Sequence, residues 1–176
     1  FLDIHNTMSE IRFYLLCTPR LDDENGQEID LKRRKSTALL AYLAHTGGPH
    51  SRESLATLFW PEYDSSSSLA NLRRDLSRLR TAIGEEHLEI DRLSAGINWE
   101  SGFWLDTREF KQALARVREH NHPPGKICAA CLGALEEAVE LYRGDFLQGF
   151  SLPDSPGFDD WQFFEAESLR LLLSQA

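Results

Sequence analysis

Two groups of side chains in this sequence are spaced for chemistry. The first lies in residues 65–84, SSSSLANLRRDLSRLRTAIG. At about 100° per residue, Ser67, Asn71, Arg74, Arg78 and Thr81 fall along one side of a helix. Arginine can donate two parallel hydrogen bonds to a guanine edge, and asparagine can read adenine. Arg74 and Arg78 are one turn apart and can address the same groove wall. Asn71 is the candidate adenine reader. Ser67 and Thr81, with Arg73 and Ser77 beside them, are candidates for phosphate or water contacts. Without a nucleic acid, the same residues make the ordinary solvated face of a bundle helix.

The second group is His120-Asn-His122-Pro-Pro-Gly-Lys-Ile-Cys128-Ala-Ala-Cys131. Two imidazoles and two thiols within 12 residues are the ligand types of a tetrahedral zinc site. Cys128 and Cys131 can share a face at a helix start, where the helix dipole favours thiolate. The Pro-Pro-Gly break lets the histidines turn back. The spacing is tighter than in common zinc fingers, so two readings stay open: a structural zinc, or plain cysteines with incidental histidines. No cofactor is otherwise required.

The elements that must position these groups are legible in the pattern. Leu69, Leu72, Leu76, Leu79 and Ile83 form a continuous apolar stripe behind the arginine face, with the serine run as N-cap and Gly84 as stop. Upstream, residues 11–16 read as a strand, 22–26 as a turn, and 27–31 as a short return strand. Residues 32–45 read as a helix closed by Gly47-Gly48-Pro49. A second helix starts at a Ser51 cap, with Ser54 three residues on, and closes at Trp60-Pro61. Residues 87–91 and 95–99 read as two strands joined around Arg92-Leu93-Ser94.

From Phe103 the pattern turns to long helices. Asp106 and Thr107 offer caps for residues 108–120, and 128–142 form the next helix, with Gly144 in a left-handed stop. Phe146, Leu147, Phe150 and Leu152 are expected to pack within a loop, and residues 158–174 form the last helix. Trp161, beside Asp159 and Asp160, is read either as core or as part of a partner-facing patch. The chain begins at Phe1 and its last helix meets no stop signal, so a segment of a longer protein is expected.

Charge distribution decides which partners fit. The net charge is −9, which disfavours nucleic acid at first sight. Residues 31–83, however, carry nine basic and four acidic side chains, while residues 1–30, 84–104 and 105–176 are each net acidic. A phosphate feels the field within a Debye length of roughly 8–10 Å, so the basic block sets what it meets. Lys32, Arg33, Arg34 and Lys35 open the first helix, either as phosphate contacts or as a solvated cluster. Arg92, at the tip between the two late strands, is a candidate for the minor groove. Three cysteines, one of them isolated at Cys17, fit a reducing, cytoplasmic setting. No apolar run approaches a membrane span. GxxxxGK[ST], GxGxxG and HExxH are all missing, so no enzyme is expected.

Three segments carry a resemblance. LKRRKSTALLAYLA at 31–44, SRESLATLFWP at 51–61 and ANLRRDLSRLR at 70–80 are similar to the SARP-type bacterial transcription activators. LYRGDFLQGF at 141–150 resembles the signature of their second part, the bacterial transcriptional activator domain. The resemblance implies an α+β winged helix of OmpR/PhoB type (small β-sheet, three helices, wing) over residues 1–104. It implies an all-α, tetratricopeptide-like domain over 105–176, shorter here than is usual in the family. It also implies a sequence-specific activator of double-stranded DNA, commonly a homodimer on direct repeats, that contacts RNA polymerase. The recognition helix then maps to 65–83 and the wing to 87–99. The rival is a helical protein-interaction module whose winged helix does not bind DNA.

Overall fold

The computed structural model describes residues 10–120 and 126–174. The chain is a mixed α/β protein, with two small sheets and six α-helices among the described residues.

Strand β1 (Ile11–Tyr14) buries Ile11 and Phe13 and turns Arg12 outward, the period-two pattern of a one-faced strand. It pairs antiparallel with β2 (Arg20–Asp22) and parallel with β6 (Phe103–Leu105). Two expectations change here. The expected strand over 11–16 stops at Tyr14, because the amides of Leu15 and Leu16 turn to the buried Asp106 carboxylate (2.8–2.9 Å). The return strand is Arg20–Asp22, and the segment expected to pair keeps only the bridge Asp22–Glu28. The turn between them is where the sequence put it: Asp23 accepts from the amides of Asn25 and Gln27, and Gly26 takes φ 73°.

Helix α1 (Arg34–Thr46) starts two residues later than expected. Lys32 adopts φ 63°, and its amide and ammonium both bind Asp30. Leu39, Leu40 and Leu43 are buried, and Gly47 closes the helix in the left-handed conformation. Strand β3 (His50–Ser51) leads into α2 (Arg52–Phe59), where the Ser51 hydroxyl accepts from the Ser54 amide at 3.0 Å.

Helix α3 (Ser65–Ile83) has the expected span and stripe, with Leu72, Leu76, Leu79 and Ile83 buried. Its cap is Asp64 rather than the serine run. That carboxylate accepts from the amides of Ser66 and Ser67, a stronger, charge-assisted cap, and the serines become the first turn. Strands β4 (Leu88–Ile90) and β5 (Ser94–Ile97) form the expected hairpin, and β3 joins β5 on its other edge.

Helix α4 begins at Asp106 (Asp106–Glu119), not Arg108. Its first carboxylate reaches back to β1, and Leu105 holds the cap position. Helix α5 (Ala129–Leu141) and helix α6 (Pro156–Ser174) follow. Pro156 at the first turn of α6 needs no amide partner there. Gly144 is not left-handed; that backbone is taken by Leu147 (φ 51°) and Gly149 (φ 71°), a turn anchored by the Leu147 amide on the Leu15 carbonyl. Phe146, Leu147 and Leu152 are buried, as expected of that loop. One apolar core runs from Leu39 and Phe59 to Phe158 and Leu169. Trp161 is half-buried and packs against this core, its ring near those of Tyr42, Phe146 and Phe158, which favours the packing reading over a partner-facing patch.

Candidate nucleic-acid interface

The apolar stripe of α3 fixes which side chains face out. Arg73, Arg74, Ser77, Arg78 and Thr81 are exposed, and Ser67 and Asn71 are half-buried. The surface divides into two neighbourhoods.

In the N-terminal half of α3, Arg73 lines one cleft of about 440 Å³ together with Arg92 of the β4–β5 tip, and Arg52 and Glu53 also line it. The tip is rigidly built. The Asp91 carboxylate accepts from the amides of Leu93 and Ser94 and from the Ser94 hydroxyl, and those bonds hold it below the usual carboxylate range. Arg52 ties the tip to α2, its amide on the Leu93 carbonyl and its guanidinium on the Asp91 carbonyl (3.1 Å). Leu93 stands 80% exposed beside Arg92, a large apolar side chain presented to solvent. Neither Arg52 nor Leu93 stood out in the sequence. The signal for Arg52 was its position just after the Ser51 cap, where β3 meets the hairpin.

Toward the C-terminal end, Asp75 organises the arginines. Its side chain is only 2% exposed, yet it sits between two cations. Arg33 approaches it at 3.4 Å from the start of α1, and Arg78 pairs with it along α3. Arg33, Ser77, Arg78 and Thr81 thereby share one surface hollow. Arg74 donates to Asn71 Oδ1 at 3.2 Å, so an adenine contact by Asn71 requires that bond to open or to be shared. The Thr81 hydroxyl bonds back to the Ser77 carbonyl, and the Ser67 hydroxyl to Asp64.

Arg34 and Lys35 lie elsewhere. Arg34 donates twice to the Ser151 carbonyl (3.2 and 2.7 Å) and stacks on Phe150 at 4.5 Å. Lys35 is nearly buried, pairs with Asp154 (3.0 Å) and Glu62 (3.7 Å), and lies over Trp60. These two cations bracket the loop before α6 onto α1. The four-residue basic run is therefore split, with Arg33 facing α3 while Arg34 and Lys35 hold the fold together.

No protein-family model matches the chain, and no curated protein matches it. Among solved structures, Mycobacterium tuberculosis EmbR, in complex with a low-affinity phosphopeptide, shares the architecture. The match has a TM-score of 0.65 at 19% identity over 93% of this chain. The fold is EmbR-like. This chain spans 44% of that EmbR chain. No described helix of the EmbR-like fold is long and apolar enough to cross a membrane.

The second group of sequence candidates lies where α4 ends and α5 begins. His120 ends α4, Cys128 caps α5, and Cys131 is its first buried residue. His120 Nδ1 is 3.4 Å from Cys128 Sγ and 3.2 Å from Cys131 Sγ. His122 lies outside the described residues.

Proposed function

We propose that this chain is a sequence-specific DNA-binding transcriptional activator. In this reading α3 enters the major groove and the β4–β5 hairpin acts as a wing against the neighbouring backbone or minor groove. One observation carries it: Arg73 of α3 and Arg92 of the hairpin tip line one cleft, and Arg74 and Arg78 are exposed on the same helix. A helix about 10–12 Å wide fits a major groove about 12 Å wide, and a cation beside it suits the flanking phosphates. The EmbR-like fold and the SARP resemblance point the same way. Residues 1–104 serve as the DNA-binding part and 105–176 as the helical activator part. The resemblance adds RNA polymerase as a protein partner and a homodimer as the working form. The exposed Phe163 and Phe164 of α6 are the first positions to substitute in testing either association.

The test is selection from random duplexes at two salt concentrations. We expect enrichment of a repeated motif, with affinity falling as salt rises by a log–log slope of about −0.9 per phosphate contacted. Arg74→Ala should weaken binding to the selected site by about 1–3 kcal/mol, roughly 5- to 150-fold, and relax one base position. No enrichment at low salt, or unchanged binding by both Arg74→Ala and Arg78→Ala, would overturn the assignment and favour the interaction-module reading.

A further inference from the structure

We propose that His120, Cys128 and Cys131 form a zinc site that clips α4 to α5. The ligand atoms of the three residues all lie within 4.8 Å of one another. In tetrahedral coordination, bonds of about 2.0–2.1 Å to nitrogen and about 2.3 Å to sulfur put neighbouring donors roughly 3.5–3.8 Å apart. The His120 Nδ1 to sulfur separations of 3.4 and 3.2 Å are within a few tenths of that edge. Closing the site onto an ion brings the three donors, now within 4.8 Å of one another, to those separations. Two soft sulfurs and an imidazole select zinc over the hard, oxygen-preferring cations.

The backbone brings the donors together from two directions. His120 comes from the C-terminal end of α4, and the C-x2-C pair occupies the cap and first turn of the thirteen-residue α5. None of the three cysteines is in a disulfide, so no disulfide competes for Cys128 and Cys131. Binding deprotonates both thiols; the two S–H bonds break, two metal–sulfur bonds form, and two protons leave to solvent. Three protein ligands leave one coordination position for water or another donor, and the site does not depend on His122.

The clip answers a deficit in the packing. Helix α5 fully buries only Cys131, Ala134 and Ala138, all small, with Leu135 and Leu141 partly buried, while Leu132, Val139 and the preceding Ile127 stand about half exposed. The Arg116–Glu137 ion pair crosses the α4–α5 hairpin farther along but is itself half exposed, and such a pair contributes little. A metal bond where α4 ends and α5 begins supplies the anchorage that so little buried apolar area does not.

The test uses the chain purified under reducing conditions without chelator. Elemental analysis should find one zinc per chain. Replacing zinc with cobalt should give tetrahedral d–d bands and a thiolate-to-metal charge-transfer band, a readout that needs no variant. Cys128→Ser and Cys131→Ser should each lose the metal, and Cys17→Ser should retain it. Chelation should lower the unfolding temperature and speed amide exchange in residues 126–141 while leaving α3 protected. Zinc at background level, or bound metal lacking the charge-transfer band, overturns the proposal. So does a Cys128→Ser, Cys131→Ser double variant that keeps full metal content.

Discussion

Arg34→Ala separates a structural arginine from one proposed to contact DNA. In the structure Arg34 donates two hydrogen bonds to the Ser151 carbonyl and stacks on Phe150 at 4.5 Å. The guanidinium is exposed, so the hydrogen bonds are worth about 0.5–1 kcal/mol together after solvent screening. An exposed cation–π contact adds about 0.5–1 kcal/mol. The expected loss of stability is therefore about 1–2 kcal/mol. For a chain of 176 residues, that lowers the melting temperature by about 2–8 °C. Binding to a selected duplex, measured by fluorescence anisotropy well below the melting temperature, should stay within about twofold of the parent. Arg74→Ala should show the reverse pattern, with an unchanged melting temperature and weakened binding. An Arg34→Ala variant that melts normally but binds tenfold more weakly would refute the reasoning. It would mean that Arg34 leaves Ser151 and reaches a phosphate.

Three further predictions concern buried polar groups. Asp75→Asn removes the carboxylate that Arg33 and Arg78 share, and should cut the preference for a selected over a random duplex by about fivefold, or about 1 kcal/mol. A competition assay showing an unchanged ratio would sink that role. Asp106 is pushed up to about 6 by burial, although the amides of Leu15, Leu16 and Thr107 pull the other way. Its folded value lies above the ordinary value of about 3.9, so its contribution is full below about pH 4 and lost as pH rises through about 6. It amounts to about 3 kcal/mol at most. Denaturant unfolding of Asp106→Asn should show that slope flattened over the same window, and an unchanged slope would remove Asp106 from the account. His45 behaves oppositely. Burial pulls it below its ordinary value, with the Lys111 ammonium nearby opposing protonation, while its ring joins Thr107 of α4 (3.0 Å) and Glu165 of α6 (2.9 Å). Its contribution is present above about pH 6.5 and lost on acidification. The stability gap between the parent and His45→Gln should therefore narrow from about pH 7.5 to about pH 5.5, and a constant gap would count against it.

Much of the fold was legible because its strongest signals are local. The five-residue stripe of α3 repeats every turn, and burial of Leu72, Leu76, Leu79 and Ile83 follows from it. The β4–β5 hairpin is equally local, its turn stabilised by an Asp91 carboxylate two and three residues from its partners. What the sequence hid is long-range. Strand β6 is three residues that pair in parallel with β1, some 90 positions away, and nothing in Phe-Trp-Leu marks that partner. The same contact explains why the first strand ends early, since Leu15 and Leu16 answer to a carboxylate just beyond β6. Gly144 misled because glycine tolerates left-handed backbone without requiring it, and here Leu147 and Gly149 make the turn.

The basic run at residues 32–35 shows most clearly where sequence reasoning about a surface stops. Four adjacent cations look like a single electrostatic feature, and composition assigns them one fate. A chain entering a helix turns about 100° per residue, so neighbours there cannot share a direction. Lys32 is spent on Asp30, Arg33 faces Asp75 on α3, Arg34 faces the Ser151 carbonyl, and Lys35 runs between α2 and the loop before α6. Under the proposed DNA-binding function, the field presented to a duplex comes mainly from α3, Arg33, Arg52 and the hairpin tip. Arg34 and Lys35 instead fix the helical part on α1. If DNA binding is to be communicated to residues 105–176, this bracket and the His45–Glu165 contact are two non-covalent routes for it. Both begin on α1, the helix that also carries the neighbour of the Asp75 cluster.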